Sequence, residues 1–438
     1  MVVMKFGGSS VAEPAGVRRV KDIVKGRLKE RPVVVVSAFR GVTDDLLDLA
    51  RKAVAGRKPS VGALKDRHAQ AAAGLGVEFG PLEPLFDELN DLLKGISLLK
   101  ELTPRTLDYA ASFGERFSSR LIAAAFSKGG LPARAWDAFD AGLTTDDRFG
   151  SATPRPEADA AIRGIFGKFE GVPVVTGFIG KTASGEITTL GRNGSDYSAT
   201  IFGAALGASE VQIWSDTDGI MSADPRMVPG ARPIAELSFE EACELAYYGG
   251  KVLHPHTLVP AMRKAIPVRV LNTFKPEHPG TRIVAKAAGP AGVASIAFKR
   301  HQTIVSVSSP RMAAGYGFLA RIFEAFARHE ISVNVVATSE VTVSVTTDKP
   351  ARLEAAVSEL RGEFEVALQT GRAILCVVGD GIHEQVGVAG QVFGALRDAG
   401  VNVFMISQGA SKSNIACVVD DAEVEKAVRA LHGRFFGG

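Results

Sequence analysis

A lysine followed by two glycines, at the end of the first predicted strand, has the chemistry of a phosphate site. The residues are Lys5-Phe-Gly-Gly-Ser-Ser, and a helix is predicted soon after them. Adjacent glycines let the backbone approach a phosphate closely, and free amides at a helix N-terminus donate hydrogen bonds to it. The lysine could neutralise a transferred phosphoryl group. The alternative is an ordinary strand–turn–helix with a surface lysine, because glycine turns between strands and helices are common.

A second glycine turn adds an arginine and an aspartate. It is the segment Leu190-Gly-Arg-Asn-Gly-Ser-Asp, which follows a predicted strand and opens a predicted helix. Ser195 or Asp196 is expected to cap that helix, since both side chains accept hydrogen bonds from free helix amides. Arg192 could form a two-pronged hydrogen bond to a carboxylate. Asp196 could be a plain N-cap, but the combination favours a ligand site.

Further aspartates follow another predicted strand, in the block Trp214-Ser-Asp-Thr-Asp-Gly-Ile. A calcium loop of the EF-hand type is excluded, because the later ligands at its spacing are missing. Asp216, and Arg226 downstream of it, are better candidates for nucleotide contacts at the carboxyl end of a sheet strand.

A fourth block follows a predicted helix that starts with a capping box, Ser238-x-x-Glu241. Lys251 in this block could reach a phosphate. His254 and His256 flank a proline, and they are interpreted as packing at a helix start instead of zinc ligands. Neither a Walker A loop nor a G-x-G-x-x-G fingerprint fits the chain, so a phosphate site here would use neither common architecture.

Composition narrows the classes of function. The 438 residues are 46% hydrophobic and 23% charged, with a formal charge of +3, and no basic stripe stands out to follow a nucleic-acid backbone. The longest aliphatic run, Val33 to Val36, is far shorter than the roughly 18 apolar residues of a membrane-spanning helix, and the N-terminus lacks a signal-peptide core. The cysteines at 243, 376 and 417 are too far apart to suggest disulfides or zinc. A cytoplasmic protein is expected.

Short apolar runs alternate with helical stretches over residues 1–285. Continuous β-branched runs indicate strands that are buried on both faces of a parallel sheet. The predicted strands are Val2 to Phe6, Pro32 to Ser37, Val172 to Gly177, Glu186 to Leu190, Val211 to Ser215 and Val268 to Leu271. The predicted helices include Pro14 to Lys29, Pro104 to Lys128 and Asp196 to Leu206. The alternation predicts a three-layer αβα domain, into which a helical subdomain or lid is inserted at about 59–103.

The remainder of the chain repeats itself after a flexible boundary at 286–292. Ile304-Val-Ser-Val matches Ile374-Leu-Cys-Val at an offset of 70 residues, and Gly317 matches Gly387 at the same offset. Each copy reads as a ferredoxin-like βαββαβ unit.

The two copies differ at their ends. The second copy finishes without a fourth strand, whereas a spare strand, Val293 to Phe298, precedes the first copy. This strand is expected to complete the second sheet. The predicted domains are therefore an inserted first copy at 303–370 and a second copy made of 293–299 with 373–434.

Taken in order, the four blocks resemble the aspartate kinases of the amino acid kinase superfamily. The resemblance rests on Lys5-Phe-Gly-Gly-Ser-Ser, Leu190-Gly-Arg-Asn-Gly-Ser-Asp, Trp214-Ser-Asp-Thr-Asp-Gly-Ile and Gly250-Lys-Val-Leu-His-Pro. It covers essentially the whole chain, since aspartate kinases carry two ACT domains after the kinase domain. The inserted arrangement of the two copies also matches that family.

The resemblance implies that ATP, with Mg²⁺, phosphorylates the β-carboxylate of L-aspartate, the first step toward lysine, threonine and methionine. Lys5 would stabilise the transferred group, and Asp196 would organise the phosphate and metal end without a dedicated protein metal site. Aspartate would contact Thr43, Glu115, Arg192 and Ser195, with Glu115 pairing with its amino group. The nucleotide would contact Lys5, Gly7, Gly8, Ser9, Ser215, Asp216, Met221, Arg226, Lys251 and Val252. A carboxylate nucleophile is already ionised at neutral pH, so no general base is expected.

Feedback inhibition by an end-product amino acid, lysine or threonine or both, is also implied. ACT pairs generally bind amino acids between subunits, so a homodimer or larger assembly is expected. The expected effector contacts are Phe318, Leu319, Asn334, Thr338 and Ser339.

Three residues depart from the family pattern. Asn193 stands where glycine is usual, and its tolerance of left-handed backbone angles should preserve the turn. Met221 stands where a tyrosine often contacts the nucleotide. Asn334 replaces the aspartate that lysine-sensitive members commonly use for the effector's ammonium group, which weakens the case for lysine and leaves threonine or a joint effect open.

Two other functions compete with this interpretation. One is a different amino acid kinase, such as a glutamate kinase, against which the four blocks and the paired ACT units argue. The other is a non-catalytic amino-acid sensor. Retention of Lys5, Glu115, Arg192 and Asp196 together argues against a sensor.

Overall fold

The computed structural model describes residues 1–167, 169–249, 253–289, 292–348, 350–409 and 413–437. These residues belong to two compact units. The first unit comprises Met1–Ile220, Ala235–Phe239 and Val252–Ala287, and the second comprises Met221–Ile234, Glu240–Lys251 and Ala288–Gly438. Among the described residues, no helix combines the length and the apolar character that crossing a membrane requires.

Among the described residues, eleven strands belong to the first unit, and most of them join one sheet. They are β1 (Val2–Phe6), β2 (Pro32–Val36), β3 (Ala133–Trp136), β4 (Thr144–Thr145), β5 (Val172–Thr176), β6 (Ile179–Thr182), β7 (Ile187–Thr189), β8 (Glu210–Ser215), β9 (Glu236–Ser238), β10 (Val268–Asn272) and β11 (Thr281–Val284). The eight-stranded sheet has the order β3-β5-β2-β1-β8-β10-β11-β9, and β4-β6-β7 form a small second sheet. Every neighbouring pair in the large sheet is parallel except β10 and β11.

Helices cover both faces of the large sheet. The helices of the first unit are α1 (Pro14–Lys25), α2 (Val42–Val54), α3 (Gly62–Leu75), α4 (Glu83–Leu99), α5 (Pro104–Lys128), α6 (Ala158–Phe166), α7 (Gly194–Leu206) and α9 (Pro255–Arg263). Helix α8 (Phe239–Tyr247) lies almost wholly in the second unit. Helix α5 packs on strands β2, β3 and β5 together with α1 and α2, while α7 packs on β1 and β8 together with α6 and α9. The three-layer αβα fold expected from the sequence is confirmed.

The local sequence explains where α5 begins and where α1 ends. Helix α5 begins at Pro104 because the Thr103 side chain accepts a hydrogen bond from the Thr106 amide at 3.2 Å, and proline suits the first helical position. The predicted extension of α1 to Lys29 is wrong, since the helix ends at Lys25 and the Gly26 amide closes it on the Asp22 carbonyl at 3.1 Å. Strands β1 and β2 are buried along their whole length, as their β-branched runs predict.

The stretch predicted as an inserted subdomain or lid is filled by α3 and α4. Their apolar side chains, such as Leu64, Phe86 and Leu89, lie in the same buried cluster as Val34 of the sheet. The two helices therefore share the core of the first unit instead of forming a core of their own.

One buried histidine lies in that core. His68 of α3 packs between the rings of Phe39 and Phe117, with centroid distances of 5.5 and 4.9 Å. Its Nδ1 lies 2.7 Å from the Leu64 carbonyl, whereas its Nε2 has no hydrogen-bond partner among the described residues. Burial, as the main cause, lowers the pKa of His68 to about 4.

This histidine should contribute a destabilising term to the first unit as pH falls. The unfolded chain takes up a proton on His68 below pH 6.5 but the folded chain does so only near pH 4, so stability falls as pH falls through this window. The slope from this residue is about 1.4 kcal/mol per pH unit. His68→Phe should remove this contribution, so that the unfolding free energy of the variant minus that of the wild type rises by about 1.4 kcal/mol per pH unit on acidification below pH 6.5. Urea unfolding at pH 7, 6 and 5 measures it with the fluorescence of Trp136 and Trp214, which both lie in this unit. An unchanged slope in the variant would contradict the assignment.

In the described part of the second unit, six strands form one antiparallel sheet. Its strands are β12 (Gly292–Ser308), β13 (Val336–Thr338), β14 (Thr342–Thr347), β15 (Glu365–Asp380), β16 (Met405–Ser407) and β17 (Asn414–Asp420). They are ordered β13-β14-β12-β15-β17-β16. Its further helices are α10 (Phe318–Arg328), α11 (Pro350–Leu360), α12 (Val388–Asp398) and α13 (Val424–Phe436). Gly317 and Gly387, matched in the repeat, both take left-handed angles directly before α10 and α12, with φ of 82° and 90°.

Two long strands run through both copies of the repeat. Near its start β12 pairs with the second copy, Ile296 opposite Val377, and near its end it pairs with the first copy, Val305 opposite Leu368. The predicted separate strands 293–298 and 304–307 are thus one strand, with register shifts near the left-handed His301. Each copy has its own buried cluster, and Ile296 belongs to that of the second copy.

Candidate functional site

A cleft of about 440 Å³ opens at the carboxyl ends of β1 and β2 in the first unit. Parallel strands end at the same edge of a sheet, so the loops that follow them meet there. Helix N-termini of α2 and α7 and one side chain of α5 complete the walls. The lining residues are Lys5, Gly8, Ser37, Ala38, Phe39, Arg40, Gly41, Thr43, Asp44, Glu115, Phe178, Gly191, Arg192, Asn193, Gly194, Ser195 and Asp196.

Lys5 and Asp196 form a buried ion pair in this cleft. The Lys5 Nζ lies 2.5 Å from Asp196 Oδ1, and the two side chains are only 11% and 6% exposed. Lys5 belongs to β1, and Asp196 lies in the first turn of α7, which packs on β1. A carboxylate in the first turn is also favoured by the helix dipole. The pair presents a positioned ammonium group where the free amides of a helix end are close by.

The second glycine turn directs Asp196 toward Lys5. Helix α7 begins at Gly194, and Asn193 precedes it in a left-handed conformation with φ of 56° and ψ of 27°. The expectation that asparagine preserves this turn is therefore confirmed. The prediction that Ser195 or Asp196 caps the helix is wrong, because both residues lie inside its first turn.

Glu115 is a buried carboxyl group at the edge of the cleft. Its Oε1 accepts a hydrogen bond from the Ala38 amide at 3.0 Å, and its Oε2 has no hydrogen-bond partner among the described residues. Burial raises the pKa of Glu115 to about 8, although the Ala38 hydrogen bond and the charge of Lys5 act in the opposite direction. A buried carboxyl with one free oxygen can bind an ammonium group strongly once it ionises.

Two glycines allow the walls of the cleft to approach each other. A Cβ atom on Gly8 would lie 2.9 Å from the Ala38 carbonyl oxygen, and one on Gly114 would lie 2.7 Å from the Ala38 Cβ. A larger residue at Gly8 would push the loop after β1 away from the Ala38 segment. A larger residue at Gly114 would push helix α5 away from the same segment, whose amide donates to Glu115. Of the loop predicted to surround phosphate, Gly8 lines the cleft, whereas the Gly7 amide donates to the Trp214 carbonyl at 3.2 Å and Ser9 is half-buried outside it.

The other predicted aspartate contacts also lie on this cleft. Thr43 comes from the N-terminus of α2, and Arg192 and Ser195 come from the turn that begins α7. Arg192 is exposed, so its guanidinium group is available to a ligand. Sequence reasoning missed Arg40, an exposed cation on the same cleft, although its position just after β2 and before Gly41 was a usable signal.

The residues predicted to bind the nucleotide do not all line this cleft. Ser215 and Asp216 lie at the carboxyl end of β8, next to β1, with Asp216 exposed. Met221 and Arg226 belong to the second unit, where Arg226 pairs with Asp224 at 2.5 Å. Lys251 and Val252 lie outside the described residues.

The histidines of the fourth block have the structural role expected for them. The His254 side chain stands before α9 and accepts a hydrogen bond from the His256 amide at 3.4 Å. The His256 ring packs on Tyr197 with a centroid distance of 4.5 Å. Across the described ranges, no group of three or more histidine, cysteine, aspartate or glutamate side chains is arranged to hold a metal ion.

The predicted effector residues lie in the first copy of the repeat. Phe318 and Leu319 open α10, with Leu319 exposed, and Thr338 and Ser339 end β13 and begin the turn to β14. Asn334 precedes β13 and is the most connected of the five. Its Oδ1 accepts hydrogen bonds from Tyr247 Oη at 3.0 Å and Lys299 Nζ at 3.1 Å, and its Nδ2 donates to Gln302 Oε1 at 2.7 Å.

Comparison with known proteins gives a consistent result. Residues 1–272 match the amino acid kinase family, and residues 305–364 and 375–435 each match the ACT domain. Aspartokinase 2 of Arabidopsis thaliana, a chloroplastic protein, is 43% identical over 99% of this chain and 84% of its own length.

Two solved structures of Escherichia coli aspartokinase III are similar over the full chain. The complex with aspartate and ADP, in the R-state, has a TM-score of 0.82 and 34% identity and covers 100% of both chains. The complex with lysine and aspartate, in the T-state, has a TM-score of 0.77 and 35% identity and covers 100% of this chain and 99% of the other.

Proposed function

Since the chain belongs to the aspartokinase family, we propose how its own residues carry out and regulate that family's reaction. The enzyme transfers a phosphoryl group from ATP to the β-carboxylate of L-aspartate, which gives 4-phospho-L-aspartate and ADP. This is the first step of lysine, threonine and methionine biosynthesis, and an end-product amino acid inhibits it through the ACT domains.

One observation carries the assignment of the site. Separate parts of the first unit, β1, α2, α5 and the turn before α7, bring Lys5, Thr43, Glu115, Arg192 and Asp196 to one cleft. This set includes a buried cation beside a carboxylate, an ammonium-binding carboxyl group and an exposed guanidinium group. Together they match what an amino acid with an extra carboxylate and a phosphoryl group require.

We assign the aspartate contacts by charge. The substrate's ammonium group pairs with the free oxygen of Glu115, its α-carboxylate binds Arg192, and Thr43 and Ser195 donate hydrogen bonds to the remaining polar atoms. The β-carboxylate is then directed toward Lys5. Because this carboxylate is ionised at neutral pH, it attacks without a general base, and catalysis reduces to alignment and charge neutralisation.

Lys5 neutralises charge on the transferred phosphoryl group, and Gly8 lets the backbone after β1 approach it. Asp196 holds the Lys5 ammonium in place and fits the common mode in which Mg²⁺ takes one or two carboxylates plus substrate phosphates, where it would supply further neutralisation. The other proposed contacts of the nucleotide are Gly7, Ser9, Ser215, Asp216, Met221, Arg226, Lys251 and Val252.

The domain boundaries 1–285, 303–370 and 293–299 with 373–434 are proposals that the matched ranges support. The cytoplasmic location also stays a prediction.

A coupled assay of ADP release tests the substrate. Turnover is expected with L-aspartate and not with L-glutamate or N-acetylglutamate. Glutamate turnover without aspartate turnover would favour the rival amino acid kinase. Absence of turnover with all three, with and without lysine and threonine, would favour the non-catalytic sensor.

The contacts of Asn334 allow a specific prediction of which amino acid inhibits the enzyme. This amide is neutral and already bonded to Lys299, whose Nζ also pairs with Asp348 at 2.7 Å, so it offers no negative charge to a lysine ligand. We therefore expect threonine, or threonine with lysine, to inhibit more strongly than lysine alone. Asn334→Asp should lower the half-inhibitory lysine concentration by about tenfold, since a charged acceptor strengthens a hydrogen bond to ammonium.

The control for this variant is inhibition by threonine, which should change by much less than inhibition by lysine. An Asn334→Asp enzyme whose lysine sensitivity equals that of the wild type would show that this position does not contact the ammonium group.

We also propose a homodimer or larger assembly through the ACT domains, which size-exclusion chromatography with light scattering measures directly.

A further inference from the structure

We propose that Asn193 is a positioning residue for catalysis, whose side-chain amide fixes the Asp196 carboxylate so that Asp196 in turn holds Lys5. Asn193 Nδ2 donates to Asp196 Oδ2 at 3.2 Å, while Asp196 Oδ1 faces Lys5 Nζ at 2.5 Å. Each carboxylate oxygen thus has one contact, a hydrogen bond from Asn193 on Oδ2 and an ion pair with Lys5 on Oδ1. This inference rests on the proposed role of the Lys5–Asp196 pair.

The geometry gives Asn193 two separable tasks. Its backbone has the left-handed angles that begin α7, a conformation that glycine adopts at least as easily. Its side chain donates to the carboxylate, which glycine cannot do. A residue that served only the turn would therefore be replaceable by glycine without loss.

Burial explains why a single amide matters at this point. Asp196 is 4% exposed, so water has little access to orient its carboxylate. A carboxylate with only the Lys5 contact could rotate about its last side-chain bond and carry the ammonium group with it. The Asn193 hydrogen bond removes this freedom. Phosphoryl transfer depends on holding charged groups in position to within about 1 Å.

Three substitutions separate the two tasks. Asn193→Gly keeps the turn and removes the donor. Asn193→Asp keeps a side chain that tolerates left-handed angles but places a second carboxylate beside Asp196. Asn193→Ala removes the donor and also disfavours the turn.

The expected order of kcat differs from the expected order of stability. Asn193→Gly should lower kcat by about 3- to 10-fold with a melting temperature close to that of the wild type, because the ease with which glycine takes left-handed angles offsets the lost hydrogen bond, and Asn193→Asp should lower kcat further. The Kd values of aspartate and ADP, measured by calorimetry, should change less than about twofold in Asn193→Gly, because the amide acts on alignment and not on binding. Asn193→Ala should lose both kcat and thermal stability.

Two results would overturn the proposal. One is an Asn193→Gly enzyme with the wild-type kcat. The other is a series in which kcat follows the melting temperature, since this pattern would mean that only the turn matters. A wild-type enzyme without aspartate turnover would instead overturn the proposed function, so the two failures are distinguishable.

Discussion

Lys5→Met is expected to lower kcat by on the order of 10³-fold, because it removes the buried cation that we propose neutralises the transferred phosphoryl group. Methionine matches the length and apolar stem of lysine, so the packing around β1 should survive. The loss should be in kcat more than in the KM of aspartate, since Lys5 acts on charge that develops in the transition state. Steady-state ADP release at saturating aspartate measures it.

Stability needs to be controlled in this experiment, because the ion pair is buried. Removal of Lys5 alone leaves the Asp196 carboxylate without its ion-pair partner in a site that is nearly closed to water, which costs about 3–5 kcal/mol. The double variant Lys5→Met, Asp196→Asn removes both charges, and it should recover most of the lost unfolding free energy while it stays inactive. If the double variant recovered activity together with stability, or if Lys5→Met alone kept more than a tenth of the wild-type kcat, the catalytic role of Lys5 would be wrong.

The sequence predicted the central sheet well because its signals are local. In a run such as Val33 to Val36, successive apolar side chains point to opposite faces of the sheet, so both faces must be buried. Strands β1 and β2 are buried throughout. Strands β3 and β11 were missed since they are short and carry arginines, Arg134 and Arg282, that interrupt the apolar pattern. Their place in the sheet is decided by neighbouring strands, which a local pattern does not contain.

Long-range pairing explains the errors around α7. In sequence, Ser195 and Asp196 are good candidates for an N-cap, because their side chains could reach the helix amides. The structure places Asp196 on Lys5, a residue 191 positions away in the chain, and this ion pair outweighs a local cap. The same holds for Asn193, whose left-handed turn follows from residue type but whose hydrogen bond to Asp196 depends on the fold.

The candidate aspartate site was predicted from motifs, whereas its electrostatics was not. Glu115 was identified through the resemblance to the aspartate kinases, which says nothing about its proton. Its raised pKa follows from burial beneath the Ala38 segment, and this burial is possible only because Gly114 has no side chain to collide with Ala38. The nucleotide contacts could not be assembled in the same way, since Lys251 and Val252 lie outside the described residues.

Glu115→Gln is expected to raise the Kd of aspartate by about 10²-fold, because a charged partner of the substrate's ammonium group becomes a neutral amide. Glutamine keeps the size of the side chain and an oxygen that can accept from the Ala38 amide. The kcat at saturating aspartate should fall only slightly, since the ammonium group is distant from the bond that forms. The Kd from calorimetry and the KM from ADP release should agree in direction.

The pH dependence provides a sharper test of the same residue. With a pKa of about 8 in the unliganded enzyme, Glu115 is mostly protonated at neutral pH, and it must lose its proton to bind an ammonium group. Each pH unit below 8 should therefore weaken aspartate binding about tenfold, and binding should release close to one proton at pH 7. Calorimetry in buffers of different ionisation enthalpy counts that proton.

In Glu115→Gln no proton is released, and the Kd should be nearly flat between pH 6 and 8. Rising pH should affect stability and binding in opposite directions. It strengthens aspartate binding through Glu115 but lowers the free energy of unfolding. The folded chain holds the proton up to about pH 8 while the unfolded chain loses it near 4.5, so Glu115 destabilises the unliganded enzyme progressively as pH rises through this interval. Glu115→Gln should therefore be more stable than the wild type at pH 8 although it binds aspartate poorly. A variant that lost both stability and affinity would instead indicate that Glu115 serves the packing of α5 and not the substrate.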